Sequence, residues 1–106
     1  MNFSVELTAT GYSIPTDDGG VPAVGFVVVC FVVAGNEDEA CTLAYETLMA
    51  DEDYQQSISK HANPENARIE VTYWAELSSF EGCPVPMSPF IFFTSEDEGE
   101  GSAQPR

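Results

Sequence analysis

The stretch Val24-Gly25-Phe26-Val27-Val28-Val29-Cys30-Phe31-Val32-Val33-Ala34 decides the fold. Valine and phenylalanine occupy both the odd and the even positions, so neither face of an extended chain is polar here. β-branched and aromatic side chains suit a pleated surface, and a run that is apolar on both faces reads as a central strand covered on both sides. With Pro22, Gly25 and Gly35 in or beside it, the run is too short and too interrupted for the ~20 apolar residues of a membrane-spanning helix.

Upstream, Asn2 to Ala9 alternates. Phe3, Val5, Leu7 and Ala9 fall on one side and Asn2, Ser4, Glu6 and Thr8 on the other, the pattern of a half-buried strand with one solvated face. Between the two strands, Gly11 to Pro22 carries Pro15, Asp17, Asp18, Gly19 and Gly20, which reads as a long hairpin connection.

Downstream, Gly35-Asn36 opens a helix. Asn36 is a capping residue with Glu39 three positions on, as in a capping box, and Glu37, Asp38 and Glu39 suit the positive end of the helix dipole. At 100° per residue, Ala40, Cys41, Leu43, Ala44, Thr47 and Leu48 share one side. Asp38, Glu39, Thr42, Glu46 and Asp53 share the other. Asp51, Glu52 and Gln55 would turn onto the apolar side, so the packed helix is expected to end near Ala50, with Asp51 to Lys60 an exposed turn or helical extension.

Asn63-Pro64-Glu65-Asn66 breaks the chain. Ile69, Val71, Tyr73, Ala75 and Leu77 then alternate with Arg68, Glu70, Thr72, Trp74 and Glu76, a second amphipathic strand. Ser78 to Pro89, with Gly82, Pro84, Pro86 and Pro89, is an irregular connection. Phe90 to Thr94 is expected to be a short buried strand. The stretch 95–106 is poor in apolar residues and reads as a disordered acidic tail.

The expected architecture is therefore α+β: one domain over residues 1–94, with a four-stranded, mainly antiparallel sheet in the order β-β-α-β-β packed on one helix. One helix covers one face. Trp74 and two of the residues Phe90 to Phe93 are expected on the other, which needs the Pro-rich connection or a second copy of the chain to shield it. A homodimer through the sheet face is the second of these expectations.

Charge bounds the function. The chain has 18 Asp and Glu against 3 Lys and Arg, a formal net charge of −15. Without the stretch 95–106, 14 acids and two bases remain, or −12, so the domain is acidic in its own right. Such a surface disfavours direct contact with nucleic acid or anionic lipid. It favours a basic protein partner, a cationic ligand or a salty medium.

No motif assigns chemistry. Cys30, Cys41 and Cys83 are widely spaced with no Cys-x-x-Cys or Cys/His cluster, as expected of reduced thiols in a reducing compartment. Met1 to Thr10 lacks a basic start and an apolar core, so a cytoplasmic protein is expected. Asp51-Glu52-Asp53 has no glycine at the turn a calcium loop needs. Asp17-Asp18-Gly19-Gly20 is explained as a turn, and no phosphate-binding glycine loop is present. His61, the single histidine, has no triad around it. Cys83 lies in a negative setting that opposes a thiolate. No catalytic residue, metal ligand or cofactor is assigned, and an enzyme is not expected.

The acidic side of the helix is what composition leaves. Asp38, Glu39, Glu46, Glu52 and Asp53 are the candidate partner-binding residues, because exposed helices ordinarily pair such acids with Lys or Arg and this one does not. The leading expectation is a small interaction or inhibitor protein that docks a basic partner, such as a nucleic-acid-binding protein, with carboxylates standing where phosphates would sit. Two alternatives accompany it. One is an acid-rich domain adapted to high salt. The other is a small-molecule module with Tyr12, Tyr45, Tyr54 and Tyr73 near a pocket.

Overall fold

Two long strands form the centre of the sheet in the computed structural model, which describes residues 1–16 and 20–94. β1 (Asn2–Ile14) pairs antiparallel with β2 (Ala23–Val33), placing Asn2 opposite Val33 and Thr10 opposite Gly25. The Asp17-Asp18-Gly19 part of the expected turn and the expected tail 95–106 lie outside the described residues. α1 (Glu37–Ala50) follows, then a π-helical turn (Tyr54–Ile58) and a 3-10 turn (Ser59–His61), β3 (Arg68–Leu77) and β4 (Ile91–Phe93). The sheet order is β3-β1-β2-β4, and every pairing is antiparallel.

Alternation in β1 sets the core. Phe3, Val5, Leu7 and Ala9 are buried, as are Phe26, Val28, Cys30 and Val32 of β2. α1 lies on this face, chiefly over β2 and β1. It buries Ala40, Ala44 and Leu48, with Cys41 and Leu43 packed alongside. The small residues at positions 40 and 44 bring the helix backbone close enough for the Cys30 thiol to donate to the Ala44 carbonyl at 3.5 Å. The start of α1 is a variant of the capping box: Glu39 N donates to Asn36 Oδ1 at 2.8 Å, and the return bond comes from Gly35 N, one residue before the cap, to Glu39 Oε1 at 2.7 Å. Such a cap stabilises a helix by about 1 kcal/mol.

Five expectations need correction. β1 does not stop near Ala9. Gly11, at φ 82°, carries it round a bend to Ile14. A side chain at Gly11 would meet the Asn66 carbonyl and Ala67 Cα, and the Gly11 carbonyl accepts from Asn63 N at 2.9 Å. Glycine is thus needed both for its conformation and for this close approach.

The second correction concerns β3. Glu6 is opposite Tyr73 but Leu7 is opposite Val71, so Thr72 is an extra residue, a β-bulge. A bulge exchanges the faces of everything beyond it. Ile69 and Val71 lie on the helix side, whereas Tyr73, Ala75 and Leu77 lie on the opposite side. Trp74, expected on the open face, pairs with buried Val5 and meets Phe3 edge to face at 5.9 Å. It remains 42% exposed because α1 scarcely reaches the edge strand.

Thirdly, the helical layer is not one helix. Asp51 is extended (φ −69°, ψ 131°), which ends α1, and its Oδ2 accepts from Tyr54 N at 2.9 Å, which caps a second helical segment. Of the two expectations for this segment, the helical extension holds and the exposed turn does not, since Tyr54 and Ile58 are buried.

Fourthly, β4 is a short exposed edge, not a buried strand, because among the described residues no further strand pairs beyond it. Lastly, the Pro-rich connection does not roof the open face. It runs along the same edge: Phe31 N donates to the Pro86 carbonyl at 2.8 Å, and Val29 N to Ser88 Oγ at 2.9 Å. Phe80 reaches across, meeting Phe31 at 6.0 Å. β2 is therefore central but only partly covered on its second side, where Val33, Tyr73 and Ile91 stand exposed around half-buried Val27, Val29 and Phe31.

Phe26, fully buried, is the hub of the core. Its ring meets Tyr12 at 5.6 Å, Tyr54 at 6.2 Å, Phe90 at 5.0 Å and Phe92 at 6.3 Å, each edge to face. Such pairs add about 0.5–1.5 kcal/mol each beyond burial. Replacing Phe26 by Ala is expected to lower stability by about 3–5 kcal/mol in urea unfolding. A loss below about 1.5 kcal/mol would show that the four rings do not depend on it.

Candidate functional site

The structure offers two surfaces with concentrated polar groups. The first is the outer side of α1. Glu37, Asp38, Glu39 and Glu46 are all exposed there, and Glu52 and Asp53 are exposed just beyond it. They do not form one straight stripe. The extended backbone at Asp51 interrupts the helical register, so Glu52 and Asp53 belong to the second helical segment. Glu39 is committed to the cap by its bond from Gly35 N. Glu52 accepts from Gln56 Nε2 at 3.5 Å. Among the described residues the only salt bridge is Arg68 to Glu70, at 3.3 Å on the exposed edge strand. No cationic side chain among the described residues pairs with the α1 carboxylates.

Asp53 leads to the second surface, a pocket of about 660 Å³. Three parts of the chain wall it: the bent end of β1 (Ile14, Pro15), the second helical segment with Ser57 to His61, and the approach to β4 (Pro89, Phe90, Phe92). Nothing in the periodicity of the sequence signalled it. It exists because Gly11 bends β1, Asp51 restarts the helix and Phe90 and Phe92 both turn toward Phe26. A shallower groove of about 370 Å³ adjoins Asp51, Asp53 and the stretch Pro84 to Phe90. Asp53 lines both hollows.

The four tyrosines expected near a pocket divide. Tyr12 and Tyr54 are buried, and their hydroxyls bond to each other at 2.9 Å in the core. Tyr45 and Tyr73 are exposed on separate elements. Burial, and then the hydrogen bond with Tyr54, holds the Tyr12 phenol well above the usual tyrosine range. No group of three or more His, Cys, Asp or Glu among the described residues is arranged to hold a metal ion. Nor is any described helix long and apolar enough to cross a membrane.

The cysteines lie apart and free. Burial, then the charge of Asp51, pushes the Cys30 thiol up to about 12. Cys41 is raised by burial and by Asp38 and Glu37. Neither setting activates a thiolate.

Comparison of the chain with protein-family models, curated proteins and solved structures finds no match in any of the three.

Two outcomes follow for the buried polar groups. Tyr12→Phe leaves the Tyr54 hydroxyl without its partner in the core and is expected to cost about 1–3 kcal/mol in urea unfolding. An unchanged midpoint would mean that water takes the place of the lost hydroxyl. The folded state also favours neutral Tyr12 and Cys30. Because both acids are raised, their contribution is intact below about pH 9 and is lost as pH climbs toward about 12. The thermal midpoint should fall across that range, and Cys30→Ser with Tyr12→Phe should flatten the fall. An identical slope in the double variant would contradict this assignment.

Proposed function

We propose that this is a small interaction or inhibitor protein that docks a basic protein partner through the carboxylate-rich surface built by α1 and the start of the next helical segment. Asp38, Glu39, Glu46, Glu52 and Asp53 form that surface, with Glu39 also holding the helix cap. The observation that carries the reading is an exposed acidic face with no ion pair on it among the described residues, in a chain with three Lys and Arg. Carboxylates left unpaired repel one another, and a basic partner relieves that repulsion as it binds. A protein whose own ligand is nucleic acid fits this chemistry, the carboxylates lying where its phosphates would lie.

The energetics favour a collective contact. One exposed ion pair is worth about 0.2–1 kcal/mol, so no single residue fixes affinity. The field chiefly steers association and sets its rate. At roughly 0.15 M salt, charges beyond about 8 Å are screened, so binding should weaken steeply as salt rises.

The test compares two charge reversals of equal size. Glu46→Lys with Glu52→Lys alters the proposed face without touching the capping box. Glu65→Lys with Glu81→Lys alters exposed acids in loops elsewhere. A basic protein retained from lysate at low salt should be lost by the first variant and kept by the second. Equal loss from both would mean that net charge, not this face, retains it. The alternative of adaptation to high salt predicts unfolding as KCl is withdrawn, whereas the docking reading expects an unchanged circular dichroism spectrum.

A further inference from the structure

We infer that the pocket between the bent end of β1, the second helical segment and the approach to β4 is a binding site for a small aromatic monocarboxylate. Its volume, about 660 Å³, lies within the roughly 300–1,000 Å³ of small-molecule sites. One side is built from core. Ile14 and Ile58 are buried, and Phe90 and Phe92 lie stacked at 6.1 Å with an interplanar angle of 14°. Both rings are braced from behind by Phe26. Phe26 behind them is fully buried, Phe90 is half-buried and Phe92 stays 44% exposed, so apolar ring surface remains open to a ligand.

The polar side is unlike the rest of the molecule. Of the three Lys and Arg in the chain, Lys60 lines this pocket, and so does His61, the single histidine. Lys60 makes no ion pair among the described residues. An anion approaching elsewhere meets a surface dominated by carboxylates. Here it meets an ammonium and an imidazole on adjacent residues, beside an apolar wall. The π-helical turn contributes to this arrangement. The bond from Ser59 N to the Tyr54 carbonyl closes a wide turn that buries Tyr54 and Ile58 while presenting Ser57 to the pocket. π-turns of this kind recur at functional sites.

The ligand class follows from these walls. A flat ring packs on Phe90 and Phe92, and a carboxylate takes a charge-assisted bond from Lys60, with Ser57 and His61 as further donors. Asp53 on the same rim repels any anion, so the single ammonium of Lys60 can offset at most one carboxylate, which limits the class to monoanions. The site is separate from the outer face of α1 apart from Asp53, and neither reading depends on the other.

The test is a titration of the ¹⁵N-labelled protein with 3-phenylpropionate, its neutral counterpart 3-phenylpropanol and the cation phenethylamine. The carboxylate should give saturable shifts at Ser57, His61, Phe90 and Phe92, and the alcohol should bind about tenfold more weakly, the worth of one charge-assisted hydrogen bond. Lys60→Met, an exposed position that leaves the fold intact, should lose the same factor, and Lys60→Arg should keep most of the affinity. Equal binding of acid and alcohol, preference for the amine, no saturable shift, or full affinity in Lys60→Met would each overturn the assignment.

Discussion

The ring of Phe26 is where three distant parts of the chain meet. Tyr12 comes from the bent end of β1, Tyr54 from the second helical segment, and Phe90 and Phe92 from the approach to β4. β1 pairs over long ladders with both β2 and β3, and of the pocket end these ladders include only Ile14, opposite Ala23. β4 contributes three residues, and the helical turns after α1 make no ladder at all. Burial of aromatic surface against one fully buried ring therefore holds the pocket end of the molecule. Gly25 beside it serves the same end, since a side chain there would run into the Phe93 ring and the Ala9 carbonyl.

Charge has no part in that core. Among the described residues no charged side chain is buried, the Tyr12 and Tyr54 hydroxyls satisfy each other in the core, and no buried side-chain nitrogen or oxygen lacks a partner. Folding is thus achieved by apolar burial and backbone pairing, with the carboxylates kept in water where their desolvation cost is small. Their mutual repulsion still opposes compaction. A surface that is charged at some expense to stability, and that carries no compensating cations, is what the docking proposal rests on.

Much of the frame was legible in the sequence because it is local. The alternation of Phe3, Val5, Leu7 and Ala9, the two-sided apolar run around Phe26, and the Asn36–Glu39 box each announce their structure within a few residues. The end of α1 near Ala50 was legible for the same reason. What escaped was decided by one residue acting at a distance. Thr72 shifts the register of β3 and sends Trp74 to the helix side, although the alternation around it looks unbroken. Gly11 read as the start of a connection because its approach to Asn66 is tertiary. Tyr54 and Ile58 read as exposed because their burial depends on Asp51 restarting the helix. The pocket is the sum of these three events together with the Phe90–Phe92 pair, so single-segment periodicity held no trace of it. The acidic face, in contrast, was visible from composition, although the break at Asp51 divides it.

The central claim is that the carboxylates of the α1 face serve recognition and are not needed for folding. Neutralising them without adding charge tests it most directly, with Glu46→Gln and Glu52→Gln followed by urea unfolding at low salt. The account predicts stability unchanged within about 0.5 kcal/mol, the usual range for surface substitutions, or raised as repulsion is relieved. A loss of more than about 1 kcal/mol at constant m-value would show that these carboxylates hold the fold together, and the face would no longer stand as a surface reserved for a partner.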